Sequence, residues 1–403
     1  MSPRGVTGSE EKTVNVPENP FYIVKSRRLR YAFLSVLVIF IVFLIASAII
    51  FRQEITLENF RYLLKDIEMI RHSGTGEYES VSYAENSTSR FTSFRGNFTV
   101  VNSGGVTFFD GTGSKTNYPD GTFSSPVAKT SNKYLILFGV GENTYSVCNN
   151  FGSVYSETFN YPISGVSLSD SGYYTVISRT AEYRSAVYLY SPSFKKMWTV
   201  FKDKYVVDTA VDEANKRVFL LYFYVQDGDY VTELSWLGFD GDSSDENIIL
   251  KQKGQMPIRF LLFRTSGYAI MTDSSLFFFD GEDRTAGEVS YGQSIPLNYA
   301  LSNDRLMMLY RGKKVDGSCT SVVYLSDGTE LYRKEEKGNL IGTAGSENGF
   351  AVLFGTRLVY YGADGEANDF AIEQNPKAVL FLDDETFLVC YDTRAVRYSL
   401  PGS

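Results

Sequence analysis

The chain has 403 residues, with 39 Lys and Arg against 47 Asp and Glu, a formal net charge of −8 and a pI near 5.0. No basic stripe is available, so nucleic acid, which needs a basic face to release counterions, is excluded as a partner. Aromatic residues make up 15%, with 29 Tyr and 30 Phe but 2 Trp, beside 34 Gly, the composition of a large β protein with packed strands and many tight turns.

Residues 1–30 carry Pro3, Gly5, Gly8, Pro17 and Pro20 among polar residues without an apolar period, and read as a disordered cytoplasmic tail. Tyr31 to Phe51 follows, about twenty-one residues with no charge inside, roughly fifteen of them Leu, Ile, Val or Phe. As a helix rising ~1.5 Å per residue it covers about 30 Å, the hydrocarbon thickness of a bilayer, and a single transmembrane helix is expected at 31–51. Lys25, Arg27, Arg28 and Arg30 crowd its N-terminal edge. Arg52 at the other edge is followed by mixed charges (Glu54, Glu58, Arg61, Lys65, Asp66), so the tail stays cytoplasmic and the remainder lies outside. Ala46-Ser47-Ala48 has the small-x-small form of a signal-peptide cleavage site, but the apolar run continues through Ile49, Ile50 and Phe51, and the leading segment is long for an n-region. Either route takes the following domain out of the cytoplasm.

Between 52 and 76, Leu57, Phe60, Leu64 and Ile67 step by three and four, which predicts a short juxtamembrane amphipathic helix ended by Gly74 and Gly76. From 77 to 403 the chain repeats. One marker is a turn after an aromatic or small residue: Phe109-Asp110-Gly111, Phe151-Gly152, Phe239-Asp240-Gly241, Phe279-Asp280-Gly281, Ser326-Asp327-Gly328 and Ala363-Asp364-Gly365, with Pro192-Ser193 filling the gap. Successive turns lie about 37 to 48 residues apart, the period of a four-stranded propeller blade. A second marker is an upstream turn before a strongly apolar strand, as at Arg95-Gly96, Asp170-Ser171-Gly172, Ala214-Asn215, Asn348-Gly349 and Asp383-Asp384. The strands after these turns, such as Tyr173 to Ser178 and Arg217 to Tyr224, are continuous apolar runs suited to burial on both faces, and the runs after them are expected to alternate.

The fold class is therefore all-β, a β-propeller of four-stranded blades, with eight blades favoured and seven left open if the first or last unit is irregular. The last unit reaches only a third strand, Thr393 to Leu400. Glu77 to Tyr83, with Tyr78, Val81 and Tyr83, has a strand's composition and is expected to supply the missing outer strand and close the ring.

On these markers the chain resembles the broad WD40-like and quinoprotein-like β-propeller superfamily over about 77–400. In layout it is similar to uncharacterised single-pass bacterial membrane proteins with a short basic tail, one span and a propeller, grouped as a domain-of-unknown-function family. The Trp-Asp dipeptide of WD40 blades is absent, and Trp198 and Trp236 alone cannot make the tryptophan docking of quinoprotein blades. No family site residue carries over and no cofactor is implied.

The single histidine, His72, lies in the linker, so a Ser-His-Asp or Cys-His arrangement cannot form in the domain. No nucleophile elbow, P-loop or H-E-x-x-H occurs. Asp170, Asp212, Asp273 and Asp383-Asp384 could pair as carboxylates, but turn positions explain them. The acidic run Asp240 to Glu246 has carboxylates enough for calcium, yet its spacing departs from the EF-hand loop and a solvated acidic turn explains it better. Cys148, Cys319 and Cys390 are far apart in apolar runs and read as free buried thiols. Asn86-Ser87-Thr88 and Asn97-Phe98-Thr99 match the glycosylation acceptor, a pattern frequent by chance.

Recognition, rather than chemistry, is what remains. The connections between second and third strands include Arg179 to Arg184, Gln226 to Tyr230 and Arg311 to Asp316, and Tyr183, Arg184, Tyr230, Arg311, Lys313 and Lys314 mix aromatic and cationic groups as recognition surfaces do. The expectation is a non-enzymatic, membrane-anchored, extracytoplasmic scaffold or receptor for a protein partner in the cell envelope. A carbohydrate or cell-wall binding module is the alternative, and an envelope hydrolase stands third.

Overall fold

The computed structural model describes an α-helix at Pro20–Ile50, with side chains placed over 28–43, and residues 79–400 apart from 87–88, 119–122, 150–151, 242–245, 265–266 and 313–316. The expected juxtamembrane helix and the first part of the tail lie outside the described residues. The chain divides into two compact units, Met1–Arg71 and His72–Ser403.

In the first unit, Phe33, Leu34 and the apolar run from Val36 to Phe43 are all exposed. Among the described residues no helix is long and apolar enough to cross a membrane, since 28–43 stops short of the ~20 residues a bilayer core requires. The rest of the expected span, 44–51, falls beyond the described side chains.

The second unit is a propeller of eight four-stranded antiparallel sheets. Blades 1 to 7 span 90–118, 126–158, 163–202, 205–253, 257–290, 296–336 and 340–371, and blade 8 combines 378–399 with 80–82. Neighbouring blades meet along their inner strands, and the inner strand of blade 8, Ala378–Phe381, touches that of blade 1, Arg90–Phe94, which closes the ring. Eight blades settle the choice between eight and seven.

Closure uses the strand expected for it. Ser80–Ser82 pairs antiparallel with Arg394–Ser399, in the register Ser80 to Val396 and Ser82 to Arg394. Val81 is 5% exposed, and the Tyr83 hydroxyl donates to the carbonyls of Tyr391 and Arg394, both at 2.7 Å.

The core is not one mass but a series of layers between blades. One cluster joins Leu261, Met271, Leu276 and Phe278 of blade 5 to Leu306, Met308 and Val322 of blade 6. Burying each such side chain favours folding by about 1.5–3 kcal/mol. Because both faces of a blade are covered, the second strands are continuously buried, as at Leu135–Gly139, Tyr174–Ser178 and Gly349–Phe354. The third strands depart from the expected alternation, for Ser275–Phe279 is buried throughout and Thr144–Asn149 nearly so. They too are sandwiched between neighbouring blades. Alternation belongs to the outer strands, such as Asn247–Lys253 and Thr285–Ser290, which face solvent at the rim.

The repeated aspartates earn their positions chemically. Asp110 Oδ1 accepts the amides of Thr112 and Ser114 at 2.9 and 3.0 Å, and Asp280 Oδ1 those of Glu282 and Arg284, both at 2.9 Å. At Gly241 the backbone has φ +75° and a Cβ would fall 2.4 Å from Trp198 Cγ, so both conformation and space demand glycine. Cys148, Cys319 and Cys390 are free and buried, as expected. Asn97 is 5% exposed, which closes that glycosylation acceptor.

Candidate functional site

Strands within a blade alternate in direction, so the connections divide between two ends of the ring. Turns joining first to second and third to fourth strands share one end, the turn face. Connections joining second to third strands share the other with the links between blades, and form the connection face.

Exposed large apolar side chains concentrate on the connection face. Blades 2 to 4 contribute Val140, Tyr161, Tyr183, Phe201, Tyr205 and Val207. Blades 4 to 6 add Val225, Tyr230, Met256, Ile258, Ile295 and Leu297. Elsewhere on the described propeller, Met197, Ile248, Leu262 and Leu331 are scattered singly. Isolated exposed apolar residues are ordinary, whereas a concentration at one end of a fold marks an interaction surface.

Two rigid features organise this face. In blade 3, the Tyr183 amide donates to Thr180 Oγ1 at 2.8 Å and the Thr180 hydroxyl donates to the Tyr183 carbonyl at 3.0 Å, fixing the loop. Tyr183 stacks on Phe201 with ring centroids 5.3 Å apart. Beside it, Arg184 Nη1 donates to the Tyr205 hydroxyl at 2.9 Å, with the guanidinium 4.9 Å from the centroid of that ring.

In blade 4 the second and third strands, Arg217–Gln226 and Asp229–Gly238, run ten residues each. Their counterparts in the other blades have five to seven. The expected loop from Gln226 to Tyr230 is instead a two-residue turn, Asp227-Gly228, with φ of +55° and +88°, the conformation that matches strand twist in a tight hairpin. Val225 and Tyr230 face each other across it, 59% and 51% exposed. Lower in the hairpin, Glu233 is 1% exposed and accepts from the Tyr224 hydroxyl at 2.7 Å and from the Lys204 ammonium. A buried carboxylate with two donors anchors the hairpin and carries Tyr230 forward on a stiff support.

Arg311 begins a different region. Its amide donates to the Ile295 carbonyl at 2.9 Å, and its side chain borders a cavity of about 710 Å³ between blades 6 and 7, with Leu297, Asn298 and Asn339. Lys313 and Lys314 lie outside the described residues. The structure thus puts Tyr183 with Arg184, Tyr230, and Arg311 on one face but in three places, not in one pocket.

The aspartates weighed as carboxylate pairs are held by nearby groups. Asp273 Oδ1 accepts the Met256 amide at 3.0 Å, and Asp212 Oδ2 accepts from Arg217 Nε at 2.8 Å. Burial alone would raise the Asp212 carboxyl, but hydrogen bonds from Asn215 and Arg217 outweigh it and hold it below the usual range. Glu246 is not part of a solvated acidic turn. It takes the Lys202 ammonium and the Tyr222 and Ser235 hydroxyls, and these overcome a burial effect of opposite sign to leave its carboxyl acidified. Asp242 and Asp245 lie outside the described residues.

Sequence reasoning missed Phe201 and Tyr205, whose roles depend on strand ends meeting in space. It also missed Lys129, Asp208 and Arg259, which line a cavity of about 760 Å³ bounded by blades 2 to 6.

Among curated proteins none matches the sequence. Among solved structures the chain is similar to the Neurospora crassa Pan2 WD40 domain, at 8% identity over 83% of this chain and 92% of that one, with a TM-score of 0.46. It is similar also to BBS1N in a complex with ARL6DN, at 10% identity over 79% and 93%, TM-score 0.45. BamB from Moraxella catarrhalis matches at 10% identity over 68% and 96%, TM-score 0.36. A family model matches residues 71–400, most of the chain, and the protein belongs to that family, DUF5711, a family of unknown function.

Proposed function

We propose that this chain is a membrane-anchored propeller, held outside the cytoplasmic membrane by a span at 31–51, whose connection face binds a protein partner of the cell envelope without catalysing a reaction. The observation that carries this reading is the concentration of exposed aromatic and aliphatic side chains on one face, around the projecting hairpin of blade 4 and the Tyr183, Arg184 and Tyr205 cluster. Aromatic and arginine side chains on stiff supports lose little entropy on binding, which suits them as anchors.

The span rests on the apolar run of 31–51, on the helix Pro20–Ile50 and on the full exposure of its apolar side chains over the described stretch.

Affinity purification of the full chain from solubilised membranes tests this. A near-stoichiometric envelope protein is expected with the wild type and lost in Arg184→Glu and Tyr205→Ala variants that melt normally. Recovery of the chain alone, or a partner that stays with both variants, contradicts the proposal.

A further inference from the structure

The inner strands of blades 3 to 7 share a local device. Each carries a register shift near its start, between Ile163 and Gly165, Val206 and Asp208, Pro257 and Arg259, Pro296 and Asn298, and Leu340 and Gly342. Such a bulge inserts one residue and re-aims the next, and bulges gather at binding sites for that reason. In blades 4 and 5 the residues after the bulge are Asp208 and Arg259. Both line the 760 Å³ cavity, together with Lys129 from the inner strand of blade 2.

Charge at this level of the cavity does not cancel. Asp208 is fully engaged, for Oδ2 accepts from Arg259 Nη1 at 3.5 Å and the Phe260 amide at 3.1 Å, while Oδ1 accepts the Thr209 amide at 3.1 Å. Arg259 Nε is buried without a partner. The Lys129 ammonium makes no hydrogen bond or ion pair among the described residues. Burial, and then the Arg259 guanidinium, hold its pKa below the usual lysine value, with Asp208 offsetting part of the effect. The other acids of the cavity are occupied at its mouth: Asp170 by the Asn132 amide at 3.4 Å, Glu213 by the Ser171 amide at 2.9 Å, and Asp212 by Arg217. Arg264 is likewise paired, with Glu347 at 2.6 Å.

We propose that this cavity binds an oxyanion, the carboxylate or phosphate group of a small molecule, between the Lys129 ammonium and the Arg259 guanidinium. Two cations beside one engaged carboxylate leave a positive excess, and an oxyanion supplies both the charge and the acceptors that Lys129 Nζ and Arg259 Nε lack. The volume lies within the ~300–1,000 Å³ typical of small-molecule sites. This site lies between the inner strands, next in sequence to Val207 and Ile258 of the connection face, and neither reading depends on the other.

The test is thermal unfolding of the full chain in detergent at constant ionic strength, titrated with inorganic phosphate and with succinate against chloride. A saturable rise in midpoint is expected with at least one of them, and Lys129→Met weakens it roughly tenfold to a hundredfold, the cost of removing a hydrogen bond to a charged group. Lys129→Arg retains it. In the wild type, the active anion also slows labelling of Lys129 by an amine-reactive reagent. A response to phosphate alone assigns a phosphate group, and one to succinate alone a carboxylate. No saturable rise with either, an equal rise in Lys129→Met, or Lys129 labelling indifferent to both anions overturns the proposal.

Discussion

The Tyr190 hydroxyl, in the third strand of blade 3, donates to Glu157 Oε2, in the outer strand of blade 2, at 2.7 Å. Tyr145 and Tyr155 reach the same oxygen at 3.1 and 3.0 Å, and Lys196 Nζ approaches Oε1 at 3.6 Å. The device recurs around the ring. Glu246 of blade 4 takes Tyr222 and the Lys202 of blade 3; Asp283 of blade 5 takes Tyr268 at 2.9 Å and the Arg217 of blade 4 at 2.7 Å; Glu336 of blade 6 takes Tyr361 and Arg357, both of blade 7. A chain with few tryptophans thus joins blades at four of its seams by carboxylates that collect tyrosine hydroxyls and cations. Burial above all, then contact with the carboxylate, raises these phenols, so they remain protonated donors.

Glu157→Ala leaves three tyrosine hydroxyls at one seam without their common acceptor. A loss of about 2–4 kcal/mol is expected, with Glu157→Gln less damaging because its amide oxygen still accepts. Urea unfolding of the two variants beside the wild type measures it, and equal stability of all three would remove the seam from the account.

Acid sensitivity follows from the carboxylates held below their usual range. The folded pKa of Glu246 and of Asp212 is depressed, so their contribution to stability is complete above the unfolded values of about 4.3 and 3.9 and is lost as pH falls through the folded values. Unfolding midpoints should therefore fall below about pH 4, and Glu246→Gln should lower stability at neutral pH while flattening that acid limb. An acid limb of unchanged slope in the variant contradicts the assignment.

Ring closure makes the smallest strand the most consequential. Deleting residues 77–83 removes the outer strand of blade 8 and exposes Arg394–Ser399 as an open edge, and the domain is expected to lose its cooperative melting transition. Val81→Asp puts a charge at a 5% exposed position and should act in the same direction. A deletion variant with the wild-type melting curve refutes closure as a determinant of stability.

The blade period was legible because one kind of turn recurs and its chemistry needs one residue type. Asp110 and Asp280 each satisfy two backbone amides with a single oxygen, so the Asp-Gly signal survives where no blade repeats another literally. Closure was legible from Val81 and Tyr83, apolar residues in a segment with no other strand to join. The third strands were misjudged because their burial on both faces comes from adjacent blades, which periodicity along one strand does not record. The connection face was half legible. Tyr183, Arg184 and Tyr230 stand out as aromatic and cationic residues near turns, but Tyr205 and Phe201 belong to strand ends that only the folded ring brings to Arg184 and Tyr183. Lys129, Asp208 and Arg259 gave no signal at all, since a bulge sets the position of the latter two and each looks like an ordinary half-exposed strand residue.

Location can be read with an introduced thiol. Cys148, Cys319 and Cys390 are buried, and burial pushes Cys319 up to about 11, so the native thiols give little background. Glu182→Cys places a thiol in the exposed loop of blade 3. A membrane-impermeant maleimide is expected to label it in intact cells. Labelling only after lysis would contradict an extracytoplasmic domain.

The central claim is that one face of the propeller engages a protein. Photo-crosslinking side chains placed at Tyr183, Tyr205 and Tyr230 on the connection face, and at Thr112, Glu282 and Thr329 on the turn face, test it in living cells. The account predicts one protein adduct of constant identity from the first three positions and none from the second three. Adducts confined to the turn face, or equal from both faces, would contradict it.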